Sequence, residues 1–178
     1  MSPGTGKVII MELDQPFSHL DAQGEARMVD VGEKPLTARQ ATAVATVRMQ
    51  PETLNLIQKQ AIAKGDVLAA ARIAGIMAAK RTSDLIPLCH PLPIDGVDLS
   101  ITLQPPDRLI ITAAVRTIWR TGVEMEAMTA VATAALTVYD MCKAVDRSLS
   151  IEYIQLLEKS GGRSGHFRRN ESSEPVTD

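Results

Sequence analysis

Apolar and polar positions alternate with a period of two in three stretches of the chain, and recur at helical spacing in three others. From Gln40 to Met49, Ala41, Ala43, Ala45, Val47 and Met49 share one phase while Thr42, Val44, Thr46 and Arg48 share the other, which predicts a strand. Gln50-Pro51-Glu52 marks a helix start, with Pro51 at the first helical position and Glu52 favourable to the dipole; Leu54, Leu56 and Ile57 supply its buried side. Lys64-Gly65-Asp66 interrupts, and Asp66 is a good N-cap for a helix from Val67 to about Lys80, closed by Lys80 and Arg81 at its negative end. Pro87, Pro91 and Pro93 then forbid a long helix, so Arg81 to Pro91 reads as a stiff, extended loop.

The plainest alternation follows. Val97, Leu99, Ile101 and Leu103 form one run, Leu109, Ile111, Ala113 and Val115 another, with Pro105-Pro106-Asp107 between them as a hairpin loop. Ile110 and Ala114 on the opposite phase place the second strand centrally, covered on both faces. Thr121-Gly122-Val123-Glu124 has the spacing of a capping box, which predicts a helix running to about Val145 with Met128, Val131, Ala132, Ala135, Val138, Tyr139 and Cys142 as its apolar stripe. Ala127, Ala130, Ala134 and Ala135 allow a neighbour to approach closely. A last strand, Leu149 to Leu157, precedes Lys159-Ser160-Gly161-Gly162-Arg163-Ser164-Gly165. The order is β, two helices, β, β, α, β. This is an α+β class: a ferredoxin-like βαββαβ with an extra helix in the first crossover, an antiparallel sheet with helices packed on one face.

Composition narrows the function. The 178 residues suit one domain, expected at 17–169, with a loosely held N-terminal extension at 1–16 and a polar, disordered tail at 170–178. A net charge of −2 supplies no bulk field for nucleic acid or an anionic membrane, and 3% aromatic residues make the core aliphatic. The RNA-recognition module shares this element order but stacks bases on aromatics in its central strands, and the hairpin runs here have none. Cys89 and Cys142 fit no metal-ligand spacing and read as reduced thiols of a cytoplasmic protein, with no metal site and no membrane span expected.

Several groups could carry chemistry, each with a plainer alternative. His90 in the proline loop is either a proton carrier or a structural hydrogen-bonding group. Lys64 just before a helix start suits an anionic ligand or simply a helix-to-helix turn. Asp140 and Lys143, three apart on the long helix, are either a surface pair or an acid/base pair; the apolar Tyr139, Met141 and Cys142 around them point to partial burial. Glu124 has a capping role, whereas Glu126 has none. Fourteen residues separate Glu126 from Asp140, so along one helix they stand ~21 Å apart. If both ends line one site, the ligand is long or the second end belongs to another subunit. The glycine run near Lys159 and Arg163 could wrap phosphates or be a flexible tail. With Arg81 and the other basic residues, the set suits a phosphorylated small molecule.

Six segments in order resemble one family: Leu20-Asp21 to Met28-Val29-Asp30-Val31, Lys64 to Val67, Ala71 to Ile76, Asp84 to Leu92, Thr121 to Ala127, and Tyr139 to Val145. The chain is similar, from about Ser18 to Phe167, to the cyclic pyranopterin monophosphate synthases, the accessory protein C of molybdenum cofactor biosynthesis. The resemblance implies a phosphorus–oxygen lyase that rearranges a cyclic dihydroguanosine triphosphate into cyclic pyranopterin monophosphate and releases pyrophosphate. It implies Asp140 as the active-site aspartate and Lys143 as the catalytic lysine, with His90 and Lys64 in the same chemistry. Leu88, Cys89, His90, Met125 and Glu126 match its substrate-binding segments, and Glu124, Lys159 and Arg81 are expected beside them. It implies a homohexamer, a trimer of dimers with the site at the dimer interface, and no cofactor beyond a Mg²⁺ that could accompany the triphosphate. Gly32, where many relatives carry serine, and Met128, where leucine is common, depart from the pattern without touching these positions. Two rivals are a nucleotide-binding regulatory domain and a metal-dependent nucleotide hydrolase.

Overall fold

The computed structural model describes residue 23 and residues 25–163 and 165–170. The expected extension at 1–16 lies outside the described residues, as do Leu20-Asp21, Ser164 and all of the expected 170–178 tail but its first residue. Among the described residues nine elements follow in order: β1 (Thr37–Arg48), α1 (Pro51–Gln58), α2 (Val67–Ala79), α3 (Thr82–Leu85), β2 (Gly96–Gln104), β3 (Arg108–Trp119), α4 (Glu124–Cys142), β4 (Ser150–Ser160) and β5 (Phe167–Arg168). The sheet order is β2-β3-β1-β4-β5, and every neighbouring pair is antiparallel. This is the expected α+β arrangement, with the two crossovers carrying α2 and α4 to one face and β5 added beyond β4.

Register explains the core. Ala43 pairs with Ala113, Ala45 with Ile111 and Val47 with Leu109, so the apolar phases of β1 and β3 coincide on the face beneath the helices, where all six are fully buried. β3 is an interior strand, paired on both sides, but its second apolar phase is not covered as expected: Ile110 and Ala114 are half-buried and Ile118 is exposed, because the helices pack on the other face. On the helix layer Ala127, Ala130, Ala134 and Ala135 are buried and α2 packs closely on α4. Gly75 makes that approach possible: a Cβ there would stand 2.8 Å from the Ala130 carbonyl oxygen and collide with Leu99 Cδ1. Asp66 is the N-cap of α2, accepting a 3.0 Å hydrogen bond from the Ala69 N–H.

Three local expectations change. The capping box does not form: Val123, not Thr121, takes the N-cap position, and no side chain caps the start of α4. Val123 is buried, so Glu124 becomes the first helical residue rather than the third, and its carboxylate folds back over Gly122 toward Lys159. The same helix ends at Cys142, short of Val145, because the Val145 and Asp146 N–H groups both turn back to the Cys142 carbonyl. The proline loop is not wholly extended. Thr82–Leu85 makes one helical turn, tied by the buried Thr82 hydroxyl donating to the Ala78 and Ala79 carbonyls. Only beyond Cys89 does it run without regular structure, pinned to β3 where the Thr117 hydroxyl donates to the Pro93 carbonyl.

Candidate functional site

The proline loop, the start of α4 and the segment before β1 enclose a cleft of about 400 Å³. Its walls include Leu88, Cys89 and His90 from the loop, Glu124, Met125 and Glu126 from α4, and Val29, Val31 and Lys34 from the leading segment. Six expected substrate contacts thus meet in one place. The loop delivers three of them because its prolines fix the backbone just after the α3 turn; α4 delivers the others because its first turn lies against that loop. Arg81 does not join them. It stands exposed at the start of α3 and is not among the lining residues, since the α3 turn directs the chain away before the cleft begins.

Glu126 is the unusual group in the cleft. It is a buried acid, and burial pushes its carboxyl up to about 7; the neighbouring charge of Glu124 adds to the rise, while the Glu126 backbone N–H partly offsets it. The Cys89 thiol is also raised, first by burial and then by the Glu126 carboxylate. Near pH 7, then, Glu126 exchanges a proton readily and Cys89 stays a thiol. Lys159, at the end of β4, is not among the lining residues either, but it pairs at 3.2 Å with Glu124, which is. The glycine run after it is no loose tail among the described residues. Gly161 and Gly162 take positive φ values of 91° and 75°, Gly161 lies against the Ala38 carbonyl, and β5 pairs back onto β4, which fixes the backbone around Lys159.

Lys34 and Arg39 escape the sequence reading. Arg39 donates from Nε to the Trp119 carbonyl at 3.0 Å and from Nη2 to the Arg120 carbonyl at 3.1 Å, holding the chain just before Thr121 in the cleft wall. The signal for Arg39 was a cation just before the expected strand, on the phase of Ala41, Ala43 and Ala45; for Lys34, only its closeness to the Met28–Val31 segment.

A second cluster forms at the far end of α4. Lys64 Nζ lies 3.0 Å from Asp140 Oδ2 and donates at 2.8 Å to the Asp140 carbonyl oxygen, and Lys143 Nζ lies 2.7 Å from Asp140 Oδ1. Two ammonium groups therefore clasp one carboxylate at the negative end of a helix dipole. Hydrogen bonds from Lys143 and then Lys64 hold Asp140 below the usual carboxylate range, and the bond to Asp140 raises Lys143. Partial burial is not found. All three side chains are about half exposed, because Cys142 turns inward from the helix while Asp140 points out.

The cleft lining contains neither Asp140, Lys143 nor Lys64. Within one chain Glu126 and Asp140, one from each group, sit at opposite ends of α4, ~21 Å apart along its axis. Among the described residues no group of three or more His, Cys, Asp or Glu could hold a metal ion, and no helix is long and apolar enough to cross a membrane.

Residues 28–162 match the model of the MoaC family. Curated relatives include cyclic pyranopterin monophosphate synthase 1 of Mycobacterium bovis, 63% identical over 156 residues, which are 88% of this chain and 92% of the relative. Cyclic pyranopterin monophosphate synthase 3 of Mycobacterium tuberculosis is 59% identical over 165 residues, 93% of each chain. The cyclic pyranopterin monophosphate synthase of Thermomicrobium roseum is 61% identical over 156 residues, 87% of this chain and 94% of the relative.

Proposed function

The chain belongs to the MoaC family, and from that membership we propose that it is a lyase of molybdenum cofactor biosynthesis. It converts a cyclic dihydroguanosine triphosphate into cyclic pyranopterin monophosphate and pyrophosphate. The observation that carries this is the shared name of relatives 59–63% identical across nearly the whole chain.

The chemistry divides between the two clusters. Rearranging the ring system moves protons on and off nitrogen and oxygen near neutral pH, work suited to Glu126, with its carboxyl at about 7, and to His90 beside it. Closing the cyclic phosphate forms a bond from a substrate hydroxyl to the innermost phosphorus as the bond to pyrophosphate breaks. Asp140, ionised by its two lysines, accepts from that hydroxyl; Lys64 and Lys143 stabilise the charge that builds on the phosphate oxygens. Leu88, Cys89 and Met125 shape the cleft, and Glu124, paired with Lys159 behind it, is part of its charged lining. With no carboxylate cage among the described residues, a Mg²⁺ ion belongs to the triphosphate substrate in this scheme.

One site needs both clusters, so the proposal includes assembly: a homohexamer built as a trimer of dimers, each active site joining the cleft of one copy to the Asp140 end of its neighbour. Support comes from the outward faces of α2 and α4, where Ile73, Met77 and Leu136 are exposed at 60%, 49% and 59%. Large apolar side chains exposed on two helices that pack together are costly to leave in water. The cytoplasmic placement belongs to the same proposal, since the unpaired Cys89 and Cys142 suit a reducing compartment.

The test supplies purified protein with the cyclic dihydroguanosine triphosphate. One pyrophosphate per cyclic pyranopterin monophosphate is expected, with Asp140→Asn folded but at least about 100-fold slower. Bound nucleotide without pyrophosphate would favour a regulatory domain instead, and hydrolysis of the triphosphate without cyclic pyranopterin monophosphate would favour a metal-dependent hydrolase.

A further inference from the structure

Asp146 lies just past the end of α4, nearly fully buried at 5% exposure, and its carboxylate is saturated. Oδ2 accepts from the Gln50 N–H at 2.8 Å and from the Thr53 hydroxyl at 3.2 Å; Oδ1 accepts from the Ser148 N–H at 2.9 Å and the Ser148 hydroxyl at 2.6 Å. Gln50 and Thr53 belong to the start of α1, where Gln50 itself makes no side-chain cap. The helix is thus capped by a residue 96 positions away in sequence. Burial works against charge at this site, but the four donors offset it and leave the carboxyl below its usual range.

The consequence is a closed circuit. α4 carries Asp140 and ends at Cys142, to whose carbonyl the Asp146 N–H is bonded at 3.0 Å. Asp146 grips the start of α1, and the turns that follow α1 carry Lys64, which returns to Asp140 through its carboxylate and carbonyl oxygens. Lys143 sits on the arc between Asp140 and Asp146. Cut the circuit at Asp146 and the segments keep their apolar packing, through Leu54, Ile57 and Ile62 in the core and α2 against α4, and one exposed Gln50–Ser148 side-chain bond, but lose the buried polar link between the end of α4 and the start of α1. Apolar packing does not fix direction, and ion pairs between half-exposed side chains are weak and easily opened, so a directional buried link is the element suited to keep the lysines on the carboxylate.

We propose that Asp146 is the positioning residue of the Lys64–Asp140–Lys143 cluster, joining the end of α4 to the start of α1 so that both lysines stay on the Asp140 carboxylate. This deepens, and rests on, the assignment of that cluster to the phosphate-closing step. A merely stabilising role would lower the thermal midpoint and leave the cluster as it is; a positioning role changes the cluster in protein that remains folded.

The experiment measures two things on the full chain: the Asp140 carboxyl titration by carbon-detected NMR, and steady-state turnover of the cyclic dihydroguanosine triphosphate. Thr53→Val removes one bond that crosses to α1, Ser148→Ala removes one within the turn, and Asp146→Ala removes all four. Thr53→Val and Asp146→Ala are expected to raise the Asp140 pKa toward the ordinary carboxylate value and to lower kcat, by about 10-fold in Asp146→Ala, with KM changed less than about twofold. Ser148→Ala should leave both readings near wild type. If Asp146→Ala does not fold, Thr53→Val decides. An unchanged Asp140 titration and kcat in folded Thr53→Val, or equal losses in Thr53→Val and Ser148→Ala, overturns the proposal. Because the titration needs no substrate, a rise in the Asp140 pKa with no turnover in wild type would sink the functional reading and keep the circuit.

Discussion

Replacing Glu126 by Gln tests the electrostatics of the cleft with a sign that is hard to obtain by accident. The folded protein holds this carboxyl at about 7 against an ordinary 4.5, so the unfolded chain gives up the proton first as pH rises. Below pH 4.5 the group is neutral in both states and costs nothing. Between 4.5 and 7 the unfolded state ionises while the folded one resists, and stability is lost progressively; above 7 the full cost remains. A shift of that size is worth about 3 kcal/mol, or about 2–3 kcal/mol once the cleft's opening to water is allowed for. Glutamine keeps the shape and never ionises. The variant should therefore be more stable than wild type by about 2–3 kcal/mol at pH 8 and equal to it near pH 4, a displacement of the urea midpoint of about 1 M at the alkaline end. Urea titrations of both proteins at pH 4, 6 and 8, at one protein concentration so that assembly does not enter, measure it directly. A difference that stays constant across pH, or a variant less stable than wild type at pH 8, refutes the reasoning.

Two further outcomes follow from packing. Gly75→Ala should destabilise the protein by about 1–2 kcal/mol in thermal unfolding, because the new methyl meets the Ala130 carbonyl and Leu99 and the strain exceeds the gain in helix propensity; a stabilised variant would mean that α2 and α4 can part at little cost. Leu136→Glu, on the exposed face of α4, should shift the assembly to a smaller species by sedimentation and reduce turnover with it. An unchanged oligomer would remove that face from the interface.

Much of this molecule is readable from the chain because local and tertiary demands agree in it. The paired strands β2 and β3 follow from strict alternation around Pro105-Pro106-Asp107, and Asp66 caps α2 as its position implies. The capping box at Thr121 has an equally good signature and still fails. There the tertiary structure outbids the local one: Val123 is drawn into the core, and Glu124 finds a cation in Lys159, 35 positions on. The cap of α1 is illegible for the same reason in reverse. Nothing near Gln50 announces that its N–H will be satisfied by Asp146, since the bond exists only once α1 and the end of α4 are neighbours. Of the site, the residue types and the distance along α4 were plain, and so was the difficulty that distance creates. Which of them meet was not: Arg81 falls away at the α3 turn, Lys34 enters, and Asp140 and Lys143 stay in the open rather than sinking among Tyr139, Met141 and Cys142.

The account stands or falls on one active site drawing on two copies of the chain, the cleft with Glu126 from one and Asp140 from the other. Each of Glu126→Ala and Asp140→Asn alone should be nearly inactive toward the cyclic dihydroguanosine triphosphate. Unfolded together in equal amounts and refolded, they should recover about a quarter of wild-type pyrophosphate release, because half of the dimers are mixed and one of the two sites in each mixed dimer is intact. Recovery near that value is the predicted result. A mixture as inactive as its components, with mixed dimers present by native mass spectrometry, would place both clusters' work within a single chain and contradict the account.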